Sequence, residues 1–230
     1  MTSNEQDQWE ASIKAPSTDI KPVRGRGRPK RGNPESGPNH LVETAQRLLR
    51  NRRIASLTHT EVANAAGVDE KLVRYYFDKY EKLIDAVIDL EINNLNDVMA
   101  DASARSGNAT EMLRHRFGAL LDFSIATPNF YKLLVDRVFD GTDPSASEKL
   151  DKITLEAYDR HLRFVTQGRE EGRIRDDFDP RLLYLAIVGL AEIFVTANPV
   201  LTLLIGEKPD LRHEYQEFVI RLIMDGIGTR

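Results

Sequence analysis

His59-Thr-Glu-Val-Ala-Asn-Ala-Ala-Gly-Val-Asp-Glu-Lys-Leu-Val-Arg-Tyr-Tyr76 is the stretch whose spacing decides the fold of the N-terminal part of this chain. Ala63 and Gly67 stand four residues apart, as a tight crossing of two helices requires. The small side chain at 63 leaves room for a second helix to pass, and Gly67 accepts a backbone φ that residues with a Cβ resist. Val62, Ala66, Val68, Val73 and Tyr76 fall where two steeply angled helices pack on each other. Thr58 and Glu61 have the spacing of a capping box, and Asp69 is placed to N-cap the second helix. Caps, turn and apolar spacing therefore agree on a helix-turn-helix, a unit whose second helix enters the major groove of duplex DNA.

Charge is segregated in the same sense. Residues 24–85 hold 13 Lys and Arg against eight Asp and Glu, whereas the whole chain carries a formal charge of −4. A basic module on an acidic body suits a polyanion at one end only. Upstream, Arg24-Gly-Arg-Gly-Arg-Pro-Lys-Arg31 contains Arg26-Gly-Arg-Pro29, the pattern of an AT-hook core. Its glycines permit close backbone approach, and Arg24, Arg26 and Arg28, with Lys30 and Arg31 beside them, suit the negative potential of a narrow minor groove. Residues 1–38 as a whole are polar and rich in Pro and Gly, which reads as a disordered extension carrying this basic arm.

Composition removes several classes of function. With no cysteine in 230 residues there is no disulfide framework, Cys-ligated zinc or Cys nucleophile, and the expected location is cytoplasmic. The first ten residues lack the basic and apolar regions of a signal peptide. The five histidines, His40, His59, His115, His161 and His213, show no paired metal-ligand spacing, and no nucleophile elbow, P-loop or dinucleotide motif occurs. No enzyme, no metal and no cofactor is expected. Leu182 to Ile205 is apolar enough to suggest a membrane span, but Glu192 interrupts it and Asn198-Pro199 breaks it; a helix buried between core and subunit interface has the same composition.

Periodicity near 3.6 residues runs throughout, and no strand alternation is sustained. The expectation is an all-α chain: a three-helix head over 39–85, and a body over 86–230. The first helix spans about Asn39 to Arg52, and the helix-turn-helix pair ends near Phe77. A long fourth helix, about Tyr80 to Ala104, joins the head to a bundle of about five helices. These run from about Thr110 to Ala126, from Pro128 through Val138, from about Ala146 to Glu171, from Pro180 to about Ala197, and from Pro209 to about Gly226. The last of these aligns Leu211, Tyr215, Phe218, Leu222 and Ile223. Aromatic and aliphatic residues Phe117, Leu121, Phe130, Tyr158, Phe164 and Phe194 offer lining for an apolar or amphipathic small molecule, with His161 and Glu192 as the polar groups among them.

Val62-Ala-Asn-Ala-Ala-Gly-Val68, followed by Val73-Arg-Tyr-Tyr-Phe77 and Leu83, resembles the DNA-binding segment of TetR-family transcriptional regulators. The motif match covers about 48 residues. Further on, the likeness is one of helix order and of the loop Gly172-Arg-Ile-Arg-Asp-Asp-Phe-Asp-Pro180 before an apolar helix. The resemblance implies a homodimer paired through the eighth and ninth helices, with an effector pocket in the body. It places DNA contacts at Thr58, His59, Glu70, Lys71, Leu72, Arg74 and Tyr75, and a phosphate clamp at the start of the fourth helix. Two positions depart from the family pattern: Arg74 replaces an aromatic, and Tyr80 replaces a lysine, with Lys79 and Lys82 flanking it. Arg74 suits a bidentate guanine or phosphate contact, and Lys79 or Lys82 can take over the clamp. Tyr76 is expected to pack inside and Tyr75 to point outward. The implied function is a ligand-responsive, sequence-specific regulator of transcription, a repressor released from a palindromic operator; the alternative is an architectural DNA-binding protein without a switch.

Overall fold

Start and stop signals in the sequence become the ends of real helices in the computed structural model, which describes residues 37–51, 57–105, 107–139 and 144–229. Arg24, Arg26, Arg28, Lys30 and Arg31 lie outside the described residues. The head comprises α1 (Pro38–Asn51), α2 (His59–Ala66) and α3 (Glu70–Tyr76), followed by α4 (Tyr80–Ala104). The body adds α5 (Ala109–Ala126), α6 (Phe130–Phe139), α7 (Pro144–Glu170), α8 (Pro180–Thr196), α9 (Asn198–Ile205) and α10 (Leu211–Ile227). Among the described residues the fold is all-α, with one isolated bridge between Ile174 and Gly228.

The capping box forms. Thr58 accepts from the Glu61 amide, and the Glu61 carboxylate accepts the Thr58 amide at 3.0 Å. Gly67 closes α2 in the left-handed region at φ 68°, and its N–H reaches back to the Ala63 and Asn64 carbonyls. Asp69 caps α3 by accepting from the Lys71 amide at 2.8 Å. The crossing then buries Val62, Ala63 and Val73 almost completely, so local signals and packing select the same geometry.

Two apolar clusters organise the described residues. The first fills the head with Leu41, Ala45, Val62, Val73 and Leu83, and it continues without a break into Val87, Ile88 and Ile92 of α4, Phe123 of α5, and Phe130, Leu133 and Leu134 of α6. Two polar ties accompany it. Asn129 donates to the Leu49 carbonyl at 2.7 Å, and Arg50 stands 3.7 Å from the buried carboxylate of Glu91. The second cluster packs Leu113, Phe117 and Leu121 of α5 against Phe164 and Val165 of α7, Leu183 and Phe194 of α8, and Val219, Ile220 and Ile223 of α10.

Four expectations need correction. Pro128 does not open the sixth helix; it lies in a turn whose Phe130 amide bonds to the Thr127 carbonyl, and α6 starts at Phe130. Asn198-Pro199 ends α8, but the same proline sits in the first turn of a further helix, α9, bent 73° from α8, because the proline's missing N–H has no partner to lose in a first helical turn. On α10 the inward stripe is Val219, Ile220, Ile223 and Ile227, leaving Phe218 and Leu222 about half exposed. Tyr76 is 39% exposed, its ring edge-on to Tyr75. No single helix among the described residues is long and apolar enough to cross a membrane.

Candidate functional site

The head presents a polar stripe built by α3. Val73, with no exposed surface, anchors one side of this short helix. Lys71, Arg74 and Tyr75, at helical spacings of three and four, therefore share the opposite, outward side, and Tyr75 is 78% exposed. Leu72 is half-buried at the edge of this stripe. Glu70 bridges the two helices of the motif: its carboxylate accepts from Thr60 at 2.7 Å and from the Arg74 Nε–H at 2.7 Å. Those two bonds, Thr60 first, hold its carboxyl below the usual range. The acid thus orders Arg74 and offsets its charge.

The neighbouring positions divide between surface and interior. Thr58 is exposed, though its hydroxyl is engaged with Glu61. His59 is turned inward with 9% exposure and a buried Nε2 lacking a hydrogen-bond partner, so its side chain does not join the outward stripe. At the start of α4, Lys79 occupies the N-cap position without a side-chain cap bond, and Tyr80 is half-buried, which pushes its hydroxyl pKa up. Lys82 is exposed and pairs with Asp78 at 2.8 Å. Lys79 and the first-turn N–H groups of α4 together form a positive end suited to a phosphate.

In the body, α4, α5, α7 and α8 enclose a cavity of about 50 Å³. Phe117, His161 and Phe164 line it, as the sequence suggested. Met99, Leu113, Leu120, Ile187 and Val188 complete the apolar wall, and Arg116 and Tyr184 add polar groups that the sequence reading missed. The signal for Arg116 was present. It falls three residues after Leu113 and four before Leu120, on the same face of α5.

The remaining candidates lie elsewhere. Leu121 and Phe194 are buried in the second cluster, away from the cavity wall. Phe130 belongs to the first cluster, edge-on to Phe123 with centroids 5.3 Å apart. Tyr158 stands behind the wall, stacked on His161 at 6.2 Å and edge-on to Tyr184 at 5.9 Å. Glu192 accepts from buried Ser124 at 2.8 Å, and burial raises its pKa.

His161 is 3% exposed, and its Nε2 has no partner. Burial first, then the charge of Arg116, push its pKa down to about 4, while a hydrogen bond to the Pro180 backbone opposes the shift. Proline has no N–H, so this bond runs from the imidazole to the carbonyl. With Nε2 unpartnered the donor is Nδ1, and the neutral ring carries its lone pair at Nε2. Arg116 donates to the Arg160 carbonyl at 2.7 Å, and burial brings its pKa down to about 10. Among the described residues no group of His, Cys, Asp and Glu is arranged to hold a metal ion.

Comparisons with known proteins bear on both regions. Residues 108–229 match a family profile described as the tetracyclin repressor-like C-terminal domain. No curated protein matches the chain significantly. Among solved structures, the ketosteroid transcriptional regulator KstR2 of Mycobacterium tuberculosis superposes with a TM-score of 0.64 at 19% identity, covering 84% of this chain and 95% of that one. A TetR/AcrR-family regulator from Thermobifida fusca gives 0.63 at 16% identity, with coverages of 82% and 97%. AibR, solved with isovaleryl coenzyme A and operator DNA, gives 0.60 at 15% identity, with coverages of 80% and 96%. These structural likenesses concern the fold. The profile spans more than half of the sequence and covers the helical body, and the DNA-binding helix-turn-helix precedes it: the chain belongs to the TetR family of transcriptional regulators.

Proposed function

We propose that this regulator is a homodimeric repressor that leaves a palindromic operator when an amphipathic small molecule enters its body. The observation that carries the reading is the outward stripe Lys71, Arg74 and Tyr75 on a helix anchored by fully buried Val73. In a two-fold dimer, two such helices enter successive major grooves about 34–36 Å apart. Arg24, Arg26, Arg28, Lys30 and Arg31 extend into the flanking minor grooves, and Lys79 with the start of α4 fixes the register on phosphates. Such a regulator works without catalysis, in the cytoplasm where its operator lies.

A single protomer leaves a surface for its own copy. Leu182, Leu185 and Ile193 on α8 and Phe218 and Leu222 on α10 are all at least half exposed, and large apolar side chains grouped on the surface mark interaction sites. The α8 and α10 pair, the eighth and ninth helices of the sequence reading, is the proposed dimer face. An effector that repositions α4 changes the distance between the two heads. Simultaneous engagement of both half-sites is then lost, together with the affinity it adds.

The test is a selection of duplexes from a random pool with the full chain, followed by anisotropy titration across salt concentrations. The expected product is a two-fold symmetric site, and deletion of residues 1–31 is expected to weaken binding and flatten its salt dependence. Failure to enrich any duplex at low salt overturns the reading. An unchanged salt slope after the deletion removes the arm from it.

A further inference from the structure

The cavity in the body holds a charge that no acidic residue among the described ones balances. None of its lining residues is acidic. Arg116 reaches it from the apolar stripe of α5; two further arginines, Arg160 and Arg163, act against that guanidinium, and among the described residues the phenol of Tyr184 is the one titratable group that favours it. Among the described residues no Asp or Glu pairs with it. Arg160 in turn is held by the neutral Asn96 at 2.8 Å. Removing a cation from water without a counter-charge is unfavourable, and an anion brought to it would offset that cost. A second group in the same wall is also incomplete: His161, nearly fully buried, lines the space, and its buried Nε2 has no hydrogen-bond partner.

We propose that this cavity seats a small apolar carboxylate, whose charged end pairs with Arg116 and hydrogen-bonds Nε2 of His161 while its hydrocarbon lies among Phe117, Leu120, Phe164 and Ile187. The assignment rests on the effector-responsive reading above and names the effector's chemistry. A guanidinium presents two parallel donors that match a carboxylate. The enclosed space is about 50 Å³, room for a few waters, so the wall opens as the hydrocarbon enters. A coenzyme A thioester lacks the carboxylate, and its several phosphates need more cations than the lining provides.

The proton balance follows from the tautomer. Nε2 carries no proton in the free protein, so its bond to a carboxylate oxygen requires one proton from solution, giving an imidazolium. Around the ring stand Arg116 of α5, which opposes that charge, Tyr184 of α8 and Tyr158 of its own helix, both neutral, while α4 contributes uncharged Met99. The incoming carboxylate supplies the missing negative charge. Binding therefore takes up a proton, and affinity falls as pH rises.

Calorimetry on the full chain with hexanoate, hexanamide, 1-hexanol and hexanoyl coenzyme A tests this. Hexanoate is expected to bind at least tenfold more tightly than the amide or the alcohol, with proton uptake revealed by buffers of different ionisation enthalpy. Arg116→Leu is expected to lose at least tenfold in hexanoate affinity while its melting temperature stays level or rises; Arg116→Lys, which keeps the charge, should fall between. Equal affinity for hexanoate and hexanamide, or binding confined to the coenzyme A thioester, overturns the proposal. So does a drop in melting temperature in both variants with hexanoate affinity unchanged. Hexanoate that binds through Arg116 yet leaves operator affinity unaltered upholds the site and overturns the regulatory reading instead.

Discussion

Glu70 accepts the Nε–H of Arg74 at 2.7 Å in the middle of the outward face of α3, the surface proposed to meet DNA. The pair is exposed, so its worth to folding is slight, and its effect lies in the field it leaves for a phosphate. Glu70→Gln is expected to tighten binding to non-specific duplex several-fold at low salt. The slope of log K against log salt should steepen by about 1, the mark of one more phosphate contact. Anisotropy at several salt concentrations reads it, and an unchanged slope would show that Arg74 makes no new phosphate contact when released.

Gly168 marks a close approach in the body. A Cβ there would stand 2.6 Å from Cγ1 of Ile174 and 3.1 Å from Cβ of Ala109. Gly168→Ala is expected to cost about 1–3 kcal/mol by overpacking. Ile174→Ala in the same chain removes the obstructing atoms, and the double variant should recover part of the loss beyond additivity. Strictly additive denaturation energies would place the strain elsewhere.

Gly67 is a different case. Open space surrounds its Cα, and the constraint is φ 68° alone. Gly67→Ala should cost about 1–2 kcal/mol from backbone strain, whereas Gly67→Asn should cost less, because Asn tolerates that conformation. Equal losses in urea unfolding would contradict a backbone origin.

His161 ties stability to pH. Its folded-state pKa is about 4, against about 6.5 when unfolded, so the unfolded chain takes the proton first. Its contribution is complete above about pH 6.5 and disappears as pH falls toward 4, about 3 kcal/mol in all. His161→Asn, which retains a donor for the Pro180 carbonyl, is expected to flatten the pH dependence across that window. A variant with the same slope as the parent would assign the acid sensitivity to other groups.

The apolar surfaces of α8 and α10 make a separate forecast. Leu185→Glu with Phe218→Glu changes two exposed positions, so folding should be retained while light scattering reports a monomer. Operator affinity is then expected to fall about 100-fold or more through loss of bivalent engagement. A doubly substituted dimer would exclude this face as the contact.

Short-range chemistry makes the head legible in the sequence. Asp69, Thr58 and Gly67 act on amides a few residues away, and Val73 needs only a 3.6-residue period to find the interior. The body was harder for a physical reason. Periodicity identifies an apolar stripe, but on α10 two stripes adjoin, and only the partners decide that Val219 turns inward and Phe218 does not. Pro199 reads in sequence as a stop alone, because a proline breaks one helix and begins another by the same missing donor. Arg116 is hard to recognise in sequence because arginine usually marks a wet face, although its neighbours on that face, Leu113, Phe117 and Leu120, are apolar.

The continuity of the first apolar cluster has a practical meaning for anyone wishing to borrow the DNA-reading end. Phe123, Phe130, Leu133 and Leu134 are part of what the head rests on, and Asn129 fastens to Leu49. A graft cut after residue 85 would carry the reading helix but leave behind Val87, Ile88 and Ile92 and the α5 and α6 residues of the same cluster. Chimeras that exchange specificity between relatives should therefore carry α6 along with the head, or match both sides of that seam.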